Sequence, residues 1–201
     1  CAIHGNFDDA QTGVKKIFTD PALKAELAQH NKMFSSANSI NWGRLLPQIV
    51  YYFSAYLDLV NAKKIKLGDE INVVVPTGNF GNILASYYAK RMGLPVHKFI
   101  CASNSNNVLT DFIRTGTYDK KRAFYTTISP SMDILVSSNL ERLLYHLCGE
   151  DTEKLTGWMN ALQNGGAYTV DAATADAVRT LFYGGCCDDK ETVEVIRNTF
   201  E

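Results

Sequence analysis

Two short stretches of this sequence combine residue types able to hold an anion. The first is Gly78-Asn79-Phe80-Gly81-Asn82, which follows the β-branched run Val73-Val74-Val75-Pro76 and precedes Ile83 to Arg91, a segment that reads as a helix. A strand, a glycine-bracketed turn and a helix start expose backbone N–H groups, and the helix N-terminus adds partial positive charge. Gly78 and Gly81 are expected to take positive φ or to let an anion approach the backbone closely. Asn79 and Asn82 add amide donors. The stretch lacks the Gly-Lys-Ser/Thr ending of a nucleotide loop and the spacing of a dinucleotide fingerprint. Its structural alternative is a strand-to-helix turn with glycines for packing alone.

The second stretch is Asn38-Ser39-Ile40-Asn41-Trp42-Gly43-Arg44, leading into an apolar helix. Arginine at a helix start opposes the dipole unless an anion shares the site. Amide and hydroxyl donors beside that arginine suit a second phosphate or a carboxylate. Capping by Asn38, Ser39 or Asn41 with a solvated Arg44 is the alternative.

The elements around these stretches read as α/β. Asp8 and Asp9 suit a helix start with Ala10, Val14, Ile17 and Phe18 on its face, and Asp20-Pro21 restarts a helix through Leu23 and Leu27. These aspartates are expected as caps rather than catalytic acids. Leu45, Ile49, Phe53 and Leu57 recur at four-residue spacing with Tyr52 and Tyr56 alongside, and Pro47 falls in the first turns of that helix. Ile71 to Val75 reads as a parallel strand buried on both faces, and Val96 to Ala102 as the next strand after a crossover helix ending near Gly93. Ligands of open α/β sheets sit at the carboxyl ends of strands, where Gly78 falls. Ser103-Asn104-Ser105-Asn106-Asn107 suits a cleft lining or a cap, Ser129-Pro130-Ser131 a turn, and Ser137-Ser138-Asn139 the opening of a helix to Cys148. Helices are expected over 151–163, 172–183 and 191–200, with Tyr168-Thr169-Val170 as an extended connector.

Composition sets outer bounds. The 201 residues are 46 % hydrophobic and 20 % charged, enough for one substantial core or part of a larger one. A net charge of −1 with scattered Lys and Arg argues against a nucleic-acid surface. No apolar run reaches membrane-spanning length. Five cysteines without C-x-x-C spacing, Cys186-Cys187 included, suit reduced thiols in a cytoplasmic compartment, and the scattered histidines suggest no metal site. The first residues read as a strand end running into a helix, and the last stop within a helical pattern, so a fragment is expected.

Four motifs together resemble threonine synthase, a pyridoxal-phosphate enzyme of the tryptophan-synthase-β-like fold (fold type II), in which a parallel sheet is flanked by helices. They are Gly5 to Gln11, Asn38 to Gln48, Pro76 to Asn82 and Ser129 to Ile134, in family order and covering nearly all of the chain. The resemblance implies that Gly78, Asn79, Phe80, Gly81 and Asn82 hold the phosphate of pyridoxal 5'-phosphate. It implies that Asn38, Ser39, Arg44 and Asn79 face the phosphate of the small-molecule substrate O-phosphohomoserine. The family reaction removes the α and then the β proton, expels phosphate from the γ carbon and adds water at the β carbon to give threonine. The family's Schiff-base lysine sits in a Lys-Asp motif that no lysine here matches, and the partner of the pyridine nitrogen is likewise expected beyond this stretch. Residues 1–201 are thus expected to form a single α/β piece, the internal and C-terminal portion of a larger enzyme's cofactor-binding domain, inactive alone. Threonine-synthase-like phospho-lyases share similar motifs, and a non-catalytic phosphate-binding scaffold is the reading from another class.

Overall fold

The computed structural model describes residues 3–5 and 7–200, with the side chains of Phe7, Asp8 and Gln11 outside the description. The expected strand end at Cys1-Ala2, and the parts played by Asn6 and the Asp8 side chain, lie outside the described residues. Phe7–Thr19 forms α1, and Pro21–Gln29 forms α2, where the Asp20 carboxylate accepts from the Ala22 and Leu23 N–H groups as a cap. Trp42–Asn61 forms α3, capped by Asn41 through the Gly43 N–H. Its buried residues are Leu45, Ile49 and Tyr56, while Leu57 faces outward, so the stripe turns off the strict four-residue row as a 3.6-residue repeat requires.

Ile71–Pro76 forms β1, Gly81–Arg91 α4 and Val96–Ser103 β2, and the two strands pair in parallel with Val73 opposite Phe99 and Val75 opposite Cys101. Val108–Thr115 forms α5, closed by Gly116 in the left-handed region at φ 76°. Thr117–Asp119 (β3) pairs antiparallel with Ala167–Thr169 (β4) in a separate two-stranded unit. Leu140–Leu147 and Thr152–Gly165 form α6 and α7.

The segment 172–183 departs from expectation. Ala172–Leu181 forms α8, which stops there, and Phe182–Cys186 forms β5, which joins the sheet in the order β1-β2-β5, parallel to β2. Tertiary pairing overrides the continuing apolar pattern because Phe182 enters the core, stacking on Phe99 at 5.0 Å and lying 5.9 Å from Phe80. Asp189–Phe200 forms the last helix, α9.

β1 also differs from a doubly buried strand. Its residues alternate, with Val75 buried and Val74 62 % exposed, because β1 is an edge strand among the described residues and one of its faces is uncovered. Leu46, Val50 and Tyr51 on α3 are exposed as well. No helix is long and apolar enough to cross a membrane, among the described residues.

Two packing devices place the strand ends. Gly184 lies against α5, where an added Cβ would stand 2.8 Å from the Thr110 Cα. At the carboxyl ends of the strands a chain of hydroxyls follows: Thr77 Oγ1 lies 3.1 Å from Ser103 Oγ, and Thr110 Oγ1 reaches Ser103 Oγ at 3.2 Å and the Gly185 carbonyl at 3.0 Å. The buried hydroxyls are thereby satisfied across three adjacent strands, which fixes the rim of the sheet below the glycine turn. Cys101, fully buried in β2, has its thiol pushed up to about 12 by desolvation, so it stays protonated and inert.

Substitution Gly184→Ala forces α5 off the sheet and is expected to cost about 1–3 kcal/mol. Gly157→Ala, in α7 with nothing within 4 Å of the new Cβ, is expected to gain up to about 1 kcal/mol. Urea unfolding midpoints of the two variants, moving in opposite directions, check the assignment.

Candidate functional site

The glycine turn is held by its carbonyls. Ser137 Oγ donates to the Gly78 carbonyl at 2.7 Å, and the Asn79 carbonyl accepts both from the Asn139 backbone N–H at 3.0 Å and from Asn139 Nδ2 at 2.8 Å. In a trans peptide the C=O and the following N–H point in opposite directions. Tying back these two carbonyls therefore turns the Asn79 and Phe80 N–H groups toward the other side. The N–H groups of Gly81, Asn82 and Ile83 open α4, and a helix supplies no acceptor for its first donors. No acceptor among the described residues takes the N–H groups from Gly78 to Ile83. A row of free donors at a helix N-terminus is the geometry of an anion site.

The positive φ of this turn falls on Phe80 (φ 63°, ψ 4°) and not on Gly78 or Gly81. A left-handed conformation at a bulky residue costs about 1–3 kcal/mol. Burial of the Phe80 ring, 3 % exposed against Phe182, offsets that with about 1.5–3 kcal/mol. The glycines answer to close approach instead. A Cβ on Gly81 would overlap the Ser39 side chain, and one on Gly78 would stand 3.3 Å from the Ser131 carbonyl. The turn thus fits two neighbouring segments at once.

The first neighbour is the stretch Asn38 to Arg44. Ser39 Oγ accepts from Asn139 Nδ2 at 3.0 Å, and Arg142 holds the segment through the Ser39 carbonyl at 3.1 Å and the Ile40 carbonyl. Asn38 folds its carbonyl oxygen back onto the Ile40 N–H (2.9 Å) and the Ser36 hydroxyl (2.7 Å), leaving its amide N–H groups free of local duty. Arg44 is exposed in the first turn of α3, and its guanidinium has no partner among the described residues.

The second neighbour is the turn around Ser131. Asp133, buried, accepts from Asn104 Nδ2 (2.7 Å), Asn106 Nδ2 (3.1 Å), Thr127 Oγ1 (2.7 Å) and the Thr127 N–H (2.9 Å). Asn104 and Asn106 therefore serve this knot rather than a helix cap or an open cleft, and Asn107, the residue before α5, provides no side-chain cap. Ser137-Ser138-Asn139 likewise provides no side-chain cap to α6, because those side chains reach the glycine turn. Tyr118 steadies that segment, donating to the Leu135 carbonyl at 3.0 Å and accepting from the Ser137 N–H at 2.9 Å, with its ring stacked on Tyr168.

Ser39, Gly78, Asn79, Phe80, Gly81 and Asn82 line one cavity of about 260 Å³ together with Gln48 and Ser131. Asn38 and Arg44 stand outside its lining. The volume accepts a phosphate group but falls below the roughly 300–1,000 Å³ of a drug-sized ligand site. A larger cleft of about 630 Å³ opens between α1 and the 136–142 segment. It shares no lining residue with the glycine-turn cavity and lacks its row of backbone donors, so size does not make it the site.

Within the smaller cavity several acceptors are already taken by protein donors, while the Ser131 carbonyl beside Gly78 has no donor among the described residues. Tyr52 O–H donates to Asn82 Oδ1 and to the Asn82 carbonyl (3.0 Å), leaving the Asn82 amide hydrogens as donors. Asn139 occupies an acceptor position of Ser39 Oγ, whose own proton has no acceptor among the described residues. Burial pushes the Tyr52 phenol up to about 12, against the smaller opposing effect of the neighbouring Ser86 hydroxyl. Tyr52 therefore remains a donor throughout ordinary pH. Tyr52, Gln48, Ser137, Asn139 and Arg142 escape sequence reasoning because each reads locally as helix face or cap.

The donor set is of a kind that fits a phosphate group. No known family model matches the chain. The chain is 47 % identical over 200 residues to human "Threonine synthase-like 1", covering 98 % of this chain and 27 % of that protein. It is 38 % identical over 209 residues to the threonine synthase of Saccharomyces cerevisiae, covering 100 % of this chain and 39 % of that one. Among solved structures, the pyridoxal-phosphate-bound threonine synthase of Brucella melitensis superposes with a TM-score of 0.83 at 40 % identity, over 99 % of this chain and 40 % of that one. Yeast threonine synthase superposes with a TM-score of 0.82 at 35 % identity.

The fold is that of a portion of a fold-type-II pyridoxal-phosphate enzyme. The chain is a homologue of a segment of the threonine synthases and threonine synthase-like proteins, spanning about a quarter to two-fifths of the length of these relatives.

Two outcomes follow from this geometry. Gly81→Ala pushes Ser39 away and should weaken binding of inorganic phosphate by about tenfold, measured by calorimetry. A phenol with a raised pKa favours the folded state fully below its unfolded value of 10.0, and that contribution is lost as pH rises from there toward about 12. Tyr52→Phe should therefore flatten the decline in unfolding free energy over that window.

Proposed function

We propose that the protein to which these residues belong is a threonine synthase, converting O-phosphohomoserine and water to threonine and phosphate with pyridoxal 5'-phosphate in the cytoplasm. In this reading residues 1–201 form one α/β piece of its cofactor-binding domain. The observation that carries it is the row of N–H groups from Gly78 to Ile83, unpartnered among the described residues, along the cavity that these residues line.

The backbone of Gly78, Asn79, Phe80, Gly81 and Asn82 would hold the cofactor's phosphate, with the helix dipole adding about 0.3–1 kcal/mol toward an anion. When bound, the cofactor supplies an electron sink for the charge left as a proton leaves the carbon bearing the amino group. Asn38, Ser39, Arg44 and Asn79 would hold the phosphate that the substrate loses. The free guanidinium of Arg44, unfavourable with the α3 dipole on its own, gains a partner when that phosphate arrives. Holding a leaving phosphate by donors alone positions the γ carbon and stabilises charge as the C–O bond breaks. The lysine that carries protons is contributed from outside residues 1–201, so this piece alone is inactive.

A second reading has its own support. Identity to human Threonine synthase-like 1, 47 %, exceeds the 38 % to yeast threonine synthase. A phospho-lyase would use the same two anion sites and release phosphate without making threonine.

The intact protein, loaded with pyridoxal phosphate and given O-phosphohomoserine, decides between them. Phosphate and threonine in equal amounts support the synthase, phosphate alone the lyase, and neither product contradicts both. Arg44→Ala should raise the KM for the phosphorylated substrate by about tenfold with little loss of cofactor. An unchanged KM removes Arg44 from the site. Gly78→Val should instead release cofactor, since its side chain meets the Ser131 carbonyl and bars the approach of phosphate.

A further inference from the structure

We infer that Asn139 is a positioning residue that couples the two anion subsites, its one side-chain amide fixing both the Gly78–Asn82 turn and Ser39. The inference rests on the proposed use of those subsites and adds a residue outside the cavity lining.

Asn139 is 1 % exposed and sits at the entry of α6, where an asparagine ordinarily caps its own helix. It makes no such cap. Its Nδ2 donates at 2.8 Å to the Asn79 carbonyl and at 3.0 Å to Ser39 Oγ, groups 60 and 100 residues away in sequence. Its backbone N–H reinforces the first bond at 3.0 Å. An amide nitrogen carries two hydrogens, and both are placed, one on each of the two segments. Arg142, one turn on, clamps the carbonyls of Ser39 and Ile40. Leu140, Leu143 and Leu144 bury the apolar face of α6, so the entry of the helix is a fixed post.

The consequence for Ser39 is chemical. A serine hydroxyl has one proton and two lone pairs. Donation from Asn139 engages a lone pair and leaves the hydroxyl proton for whatever enters the cavity, so Ser39 acts there as a donor. The same amide tethers the Asn79 carbonyl and with it the direction of the Phe80 N–H. Loss of Asn139 therefore frees Ser39 to rotate and the turn to rearrange, weakening both subsites through a residue that touches neither ligand.

The test uses the full-length protein with Asn139→Ala, Ser39→Ala and the double variant. Calorimetry on the cofactor-loaded protein reads inorganic phosphate affinity, and dialysis followed by absorbance reads retention of pyridoxal phosphate. Asn139→Ala should lower phosphate affinity and speed cofactor loss, each by about tenfold. In the Ser39→Ala background its added effect on phosphate should shrink to under about twofold, while the effect on cofactor persists through Asn79. A packing role alone would make the two substitutions additive, and that result overturns the inference, as does wild-type phosphate affinity in Asn139→Ala. Should Asn139→Ala fail to fold, Asn139→Leu fills the same space without donors and carries the same comparison. A wild-type protein that binds cofactor and phosphate while Asn139→Ala matches it defeats the coupling alone. A wild-type protein that binds neither defeats the subsites and the coupling with them.

Discussion

The site depends on one amide. Asn139 holds the carbonyl of Asn79 and the hydroxyl of Ser39 from a single nitrogen, and everything that could receive an anion is arranged around that bridge. Because it is buried, its hydrogen bonds are costly to leave unmade, about 1–3 kcal/mol for an unsatisfied group. The fold supplies the post on which it stands: α6 anchored by leucines, and the approach to α6 pinned by Tyr118 from the two-stranded unit. A small antiparallel pair remote from the parallel sheet thus bears directly on the geometry of the glycine turn.

In the proposed site, preference for an anion would come as much from what is hidden as from what is offered. Backbone and side chains present donors and acceptors in equal measure, and a phosphate is repelled by the second kind. Ser137 and Asn139 take the turn's carbonyls, Tyr52 takes the oxygen of Asn82, and Asn139 takes a lone pair of Ser39. What remains facing the cavity includes the N–H groups of the turn and the Ser39 O–H, beside the carbonyl of Ser131. The left-handed Phe80, sustained by its buried ring, lets the chain turn from β1 into α4 while keeping those N–H groups together.

Much of this was legible in the sequence, for local reasons. Asp20, Asn41 and Asp151 cap the helices they precede, and the valine run before Pro76 forms its strand. Both anion stretches stood out by residue type, and Ser39 meets the glycine turn across one cavity. The failures are equally specific. Phe182 and Tyr183 extend the apolar rhythm of the helix before them, and only pairing with β2 reveals a strand. Asn104, Asn106 and Asn139 are cap-like in sequence, yet their amides bond to residues far along the chain, a choice that local pattern cannot register. Of the two reasons the sequence offered for Gly78 and Gly81, positive φ is absent, and the space beside them is filled by Ser131 and Ser39, which are distant in sequence.

The most direct measurement is a crystal structure of the intact protein with pyridoxal phosphate bound. Its phosphate oxygens should accept from the N–H groups between Gly78 and Ile83, with Asn139 still joining Asn79 to Ser39. A cofactor phosphate seated elsewhere, with those N–H groups turned to protein acceptors, would contradict it.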